Sequence, residues 1–202
     1  MLFSAVRYFW ENNKKLLGEA LFIKDGPLTL RSQYSKLVPG IRDFLQFSKD
    51  QGVPIHIIGQ EKTGAFVDHL NMIQRFASPH NKNDPASFSV LSHKYIREEI
   101  QRTSEKDTHY GSRTNYGEKV FVKLSPYHSM VLTVPTGSYG NHADFPKSSD
   151  DLIGFSRIMA TLPKVVSHRH EGALLPIELA NGVASLSSYP SARILKIFAG
   201  LD

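Results

Sequence analysis

The chain has 202 residues, 41% of them hydrophobic, which suits one domain with a buried core of ordinary size. It carries 24 Lys and Arg against 19 Asp and Glu, a formal charge of +5 and a sequence pI near 9.3, a mild lean towards polyanionic partners. Cysteine is absent, which excludes disulfide staples, thiolate nucleophiles and cysteine-ligated zinc.

The amino-terminal run places Phe3, Val6, Phe9, Trp10, Leu16 and Leu17 at helical intervals with polar residues between them, so the spacing predicts an amphipathic helix over residues 2–17, ended by Gly18. Charges interrupt every window that a secretory leader would need, and no stretch reaches the about 18 apolar residues of a membrane span. A cytoplasmic protein without membrane attachment is expected. Ala20-Leu21-Phe22-Ile23 then reads as a short buried strand running into an Asp25-Gly26-Pro27 turn. Ser32 to Lys49 reads as a helix whose regular part starts at Pro39, and Asp50-Gln51-Gly52 stops it before a second β-rich run, Val53 to Gly59. Strand, helix and strand at these lengths predict a βαβ unit with adjacent parallel strands and a right-handed crossover.

A further helix is expected over Thr63 to Phe76. From Ser78 to Gly117 the chain is rich in Lys, Arg, His, Asn and Ser, which predicts an exposed polar excursion at about 78–117 with a helix near His93 to Arg102 and an aperiodic tip from Glu105 to Tyr116. Lys119 to Leu124 and Ser129 to Val134 read as two strands of a hairpin joined by Ser125-Pro126-Tyr127-His128. Helices near Ser149 to Leu162 and Gly172 to Ser187 follow, and then a last apolar run, Ile194 to Phe198. The fold class is therefore α/β, in a single domain without internal repeats.

Asp25 stands at the carboxyl end of a strand, where α/β sheets place ligands, and its carboxylate suits a hard cation such as Mg²⁺ or Mn²⁺. Two such ions can activate water and stabilise the leaving oxygen in phosphodiester cleavage. The alternative is that Asp-Gly-Pro is turn chemistry alone. Glu11, on the preceding helix, is the candidate second metal ligand, with Glu19 as its competitor and plain helix surface as the bland reading. Lys62, in Gln60-Glu61-Lys62-Thr63-Gly64 after the second strand, can neutralise a phosphate or be a solvated loop residue.

Ser167-His168-Arg169-His170-Glu171 lacks the spacing of a zinc site, so a basic loop against phosphate is the better expectation for His168, Arg169 and His170. Tyr95, Tyr110, Tyr116 and Tyr127 interleave with Lys94, Arg97, Arg102, Arg113, Lys119 and Lys123, a mixture that offers stacking faces and phosphate contacts to nucleic acid or else forms ordinary surface. Arg97, Arg102 and Arg113 are the nucleic-acid candidates of the excursion.

Taken in order, Leu21-Phe22-Ile23-Lys24-Asp25-Gly26-Pro27-Leu28, Pro54-Ile55-His56-Ile57-Ile58-Gly59-Gln60-Glu61-Lys62-Thr63 and Leu174-Leu175-Pro176-Ile177-Glu178-Leu179-Ala180-Asn181 resemble the landmarks of the NurA nuclease domain. The resemblance implies an RNase H-like mixed sheet flanked by helices and a Mn²⁺- or Mg²⁺-dependent nuclease that processes DNA ends. It also implies a homodimer that docks on a HerA-type hexameric ATPase. Asp25 is similar to the family's strand-end metal aspartate, Glu11 to its helix glutamate and Lys62 to the lysine that ends its next strand. The family pattern opens with an earlier strand bearing another aspartate in a VDGS-like motif, and the landmarks here start after it. Its closing helix reads Ala-His with a tyrosine upstream, where this chain has Ala180-Asn181 and Ala173. Those departures make a catalytically degenerate module, binding DNA or an ATPase without chemistry, the alternative expectation. A third is an unrelated small α/β protein.

Overall fold

The computed structural model describes residues 2–74, 86–102, 111–125, 127–137, 144–170 and 172–198. Its first helical stretch is two helices, α1 (Leu2–Asn12) and α2 (Lys14–Glu19). Asn13 makes the break: its side-chain oxygen accepts the Leu16 N–H at 3.0 Å and caps α2, the short-range competition with the helix that asparagine is suited to. Gly18 lies inside α2, and the chain turns extended at Ala20.

Strand β1 (Leu21–Asp25) follows, then a 3₁₀ turn (Ser32–Leu37), helix α3 (Val38–Asp50) with Pro39 in its first turn, and strand β2 (His56–Glu61). The strands pair in parallel from Leu21 opposite His56 to Asp25 opposite Gln60, which is the βαβ arrangement the order of elements predicts. Helix α4 (Ala65–Ile73) leads to strand β3 (Ser87–Val90), a single turn α5 (His93–Tyr95) and a π-type stretch (Ile96–Gln101). Strands β4 (Gly117–Ser125) and β5 (His128–Pro135) form the expected antiparallel hairpin. Helix α6 (Phe155–Thr161) follows, and the last helix, α7 (Leu175–Phe198), takes in the closing apolar run that the sequence separates from it.

Among the described residues the strands make one five-stranded mixed sheet in the order β1-β2-β5-β4-β3, with β1 and β2 parallel and the remaining pairs antiparallel. Period-2 alternation splits its side chains cleanly. Ile58, Val120, Val122, Leu132 and Val134 pack on Phe155, Ile158 and Leu162 of the α6 segment. On the other face Phe22 and Ile57 meet α1 and α3, while Phe121 and Val131 meet Phe66 and Leu70 of α4. This is a mixed α/β sheet flanked by helices, compatible with an RNase H-like arrangement. Among the described residues no helix is long and apolar enough to cross a membrane.

The polar stretch after α4 contributes more than an exposed excursion. Of residues 78–117, those numbered 78–85 and 103–110 lie outside the described residues, but β3 pairs with β4 and both Leu91 and Ile96 are buried. Serines conceal the strand in the sequence, because an edge strand of four residues needs little apolar surface. The same region holds a buried pair, His93 Nε2 to Glu118 Oε2 at 2.9 Å, and burial pushes the Glu118 carboxyl above its ordinary range while His93 draws it back.

Gly59 fixes how β1 leaves the sheet. A Cβ there would lie 2.5 Å from the Gly26 carbonyl oxygen and 2.9 Å from the Leu28 nitrogen, both backbone atoms of the turn folded across β2. Gly26 adopts φ +85° and donates its N–H to the Gln60 carbonyl at 2.7 Å, prolonging the parallel ladder into the turn. We expect Gly59→Ala to cost about 1–3 kcal/mol by overpacking, read as a lower urea midpoint. Gly40→Ala, on α3 with open space around the added methyl, should instead raise stability by about 0.5–1 kcal/mol.

Candidate functional site: a cleft at the strand ends

β1 and β2 end side by side, and the residues that follow them meet. Lys62 Nζ donates to Asp25 Oδ2 at 3.0 Å, with both side chains partly open to solvent. Two of the catalytic candidates are thus brought together, as register alone requires once Asp25 stands opposite Gln60.

Among the described residues Glu11 makes no hydrogen bond or ion pair with either Asp25 or Lys62. Phe3 packs edge-on against Tyr116 and Phe9 packs on Phe22, which seats α1 on the sheet. The Glu11 carboxylate is engaged within its own helix, where it accepts from Arg7 Nε at 2.8 Å, one turn away. The Glu61 carboxylate is likewise engaged, by Lys119 Nζ, which lies buried 4.7 Å from the centre of the Phe66 ring. Burial lowers the Lys119 pKa, and Glu61 partly restores it. Among the described residues no three His, Asp or Glu side chains form a group able to hold a metal ion. Among the described residues, then, the donors beside Asp25 fall short of the several carboxylate oxygens that a Mn²⁺ or Mg²⁺ pair takes.

A cleft of about 1010 Å³ opens beside these strand ends, with Lys62, Tyr127, Arg169, His170, Glu178 and Asn181 among its lining. It lies outside the carboxyl ends of β1 and β2, the position at which open α/β sheets bind ligands. The basic loop reaches it through Gln60, fully buried on β2, which donates from its side-chain nitrogen to the Gly172 carbonyl and accepts the Leu174 N–H at 3.3 Å. The loop is shaped internally by Ser167, whose hydroxyl donates to Glu178 and accepts the N–H groups of Arg169 and His170 at 3.1 and 3.2 Å. Arg169 and His170 project from it, exposed, with Glu178 4.0 and 3.7 Å away.

His168 lies just outside the cleft lining, edge-on to the His128 ring. Arg97, on the π-type stretch and 3.4 Å from Glu98, Arg102, which ends that stretch at φ 51°, and Arg113, exposed in the turn before β4, do not line the cleft. The tyrosines separate as well: Tyr116 is buried, with its hydroxyl pKa pushed up to about 12, and Tyr95 bonds His69 Nε2 at 2.8 Å. Tyr110 is outside the described residues, while Tyr127, 73% exposed, presents a ring at the cleft. The chain matches no protein-family model, no curated protein and no solved structure.

Gln60 and Glu178 are the positions that sequence reasoning passes over. A single glutamine at a strand end carries no signal of the loop it will hold, and Glu178 reads as ordinary helix surface. Gln60→Leu should leave the Gly172 carbonyl and the Leu174 N–H unpaired, costing about 1–3 kcal/mol, checked by urea unfolding. Lys119→Met should cost about 3–5 kcal/mol by stranding Glu61, and adding Glu61→Leu should recover most of that loss. Because the folded Lys119 pKa lies below 10.5, the unfolded chain binds more protons between those two values, so this residue makes stability rise with pH there. The double variant should flatten that rise in urea midpoints taken from pH about 7 to about 10, below the range in which Tyr116 acts in the opposite sense.

Proposed function

We propose that this chain is a DNA-binding module of RNase H-like layout that holds the phosphate backbone in the strand-end cleft and does not itself hydrolyse it. The convergence of Lys62, which follows β2, with Arg169 and His170 of the loop before α7 on one cleft carries this reading. Tyr127 supports it with an exposed ring on which a base can stack. The acids of the cleft are already answered, Glu61 by Lys119 and Glu178 by Ser167, so they oppose an incoming phosphate less than free carboxylates would.

Hydrolysis with Mn²⁺ or Mg²⁺ is the competing reading. It requires Lys62 to release Asp25 and further carboxylates to join it, whereas Glu11 is paired with Arg7 on its own helix. The engaged state of each donor favours binding over cleavage.

Fluorescence anisotropy with single-stranded DNA at increasing salt tests the proposal. Lys62→Gln and Arg169→Gln should each weaken binding and lower the slope of log K against log salt by about 0.7 per lost contact. Folding stability should change by no more than about 1 kcal/mol, since both side chains sit in exposed pairs. Loss of binding on replacing Arg97, Arg102 and Arg113 by Ala, with the cleft variants unaffected, would move the track to the other surface. Wild-type protein should leave DNA intact in Mn²⁺, and cleavage that disappears in Asp25→Asn would reinstate the hydrolytic reading.

A further inference from the structure

On the other side of α7 from the cleft a smaller slot of about 280 Å³ opens. Its walls are apolar, from Leu21 and Ile23 of β1, Val165, and Ile177 and Ala180 of α7, and its polar groups are Asp25, Thr161 and Asn181. Slot and cleft share Ile177 and Asn181, and the Lys62–Asp25 ion pair joins a cleft residue to a slot residue. Cleft and slot are therefore neighbours that meet at α7 and at this ion pair.

The dimensions and chemistry of the slot suit a small flat ring with hydrogen-bond donors on one edge. Its volume falls just below the about 300–1,000 Å³ that drug-sized ligands need, which admits a single flat ring system and not a base pair. Apolar walls suit the faces of a nucleobase, as in the pockets that receive bases taken out of the stack. A carboxylate accepts hydrogen bonds only, and its two oxygens offer about four lone-pair sites, so Asp25 retains acceptor capacity beside Lys62. Guanine presents two adjacent N–H donors on its pairing edge, at N1 and N2, with the O6 acceptor next to them. Adenine and cytosine each present one amino group with a neighbouring acceptor that a carboxylate repels, and thymine presents one N–H between two carbonyls. The Asn181 amide can donate to O6.

We infer that this slot binds an unpaired guanine base of a strand held in the cleft, with Asp25 reading N1–H and N2–H and Asn181 reading O6. The inference rests on the DNA-binding reading for its backbone contacts, while the slot itself needs only the base. It gives Asp25 a recognition role without a metal ion.

Two measurements on the full chain separate the slot from the cleft. In the first, short dT oligonucleotides carrying a single dG, dA or dC are compared by anisotropy. The dG strand should bind about five- to tenfold tighter than the others, the lower range for a bidentate base contact. Asp25→Asn, which replaces one acceptor by a donor, should remove that preference, and so should Ala180→Leu, which narrows the slot from an exposed helix position without touching a charge. In the second, guanosine alone, lacking phosphate, is titrated while amide NMR signals of Ile177 and Ala180 are followed; they should shift in wild type and not in Asp25→Asn. Equal binding of all strands with a normal salt slope, and no shift with guanosine, overturns the slot and leaves the cleft reading standing. Failure of every oligonucleotide to bind, with guanosine still shifting Ile177 and Ala180, supports the slot and sinks the cleft reading. If neither probe binds, both fall.

Discussion

The close approach of the Asp25-Gly26-Pro27 turn to Gly59 is the constraint on which the rest of the strand-end surface depends. With no side chain at Gly59 the turn lies directly on β2, Gly26 continues the parallel ladder onto Gln60, and Asp25 is left beside Lys62. Backbone contact of this kind admits little adjustment, because neither partner can rotate away as a side chain can. After the turn the chain pairs with the segment ahead of β4 through Leu28 to Tyr116 and Leu30 to Thr114, so a single glycine governs where three segments meet.

Around that point polar groups of two kinds share one region. Lys119 with Glu61, and the Gln60 side chain, are buried and satisfied; they set the position of strand ends and of the basic loop. Lys62, Arg169, His170 and Tyr127 are open to solvent and make no comparable structural contacts. Rigid support beneath exposed cations is an arrangement suited to an anionic ligand, since their carrier does not have to order on binding.

Much of this was legible in the residues. The βαβ unit follows from hydrophobic runs and turn residues, and the hairpin of β4 and β5 from two apolar runs with a four-residue spacer that carries proline. Asp25 and Lys62 could both be picked out as strand-end residues, and their contact is a consequence of parallel register. Helical periodicity puts Glu11 on a helix face but does not say which partner it takes there, and that partner is Arg7, one turn back on the same helix. β3 escaped notice because its Ser-Phe-Ser-Val alternation runs for only four residues inside a polar stretch, and the Asn13 break because a capping side chain looks like any polar residue on an amphipathic helix. The bond from Gln60 to the loop before α7 spans most of the chain, beyond any local pattern.

The two outer strands have a bearing on how the molecule behaves in concentrated solution. β1 and β3, at the margins of the sheet, have five and four residues, and they carry Lys24 and Asp25 in one case and two serines in the other. A foreign strand laid along either margin would gain only a few ladder hydrogen bonds, and along β1 it would have to accommodate both charges. The sheet is thus finished by brevity and charge at its borders, a negative selection against amyloid-like stacking that costs the core nothing, since the long strands β4 and β5 with their apolar runs are kept in the interior.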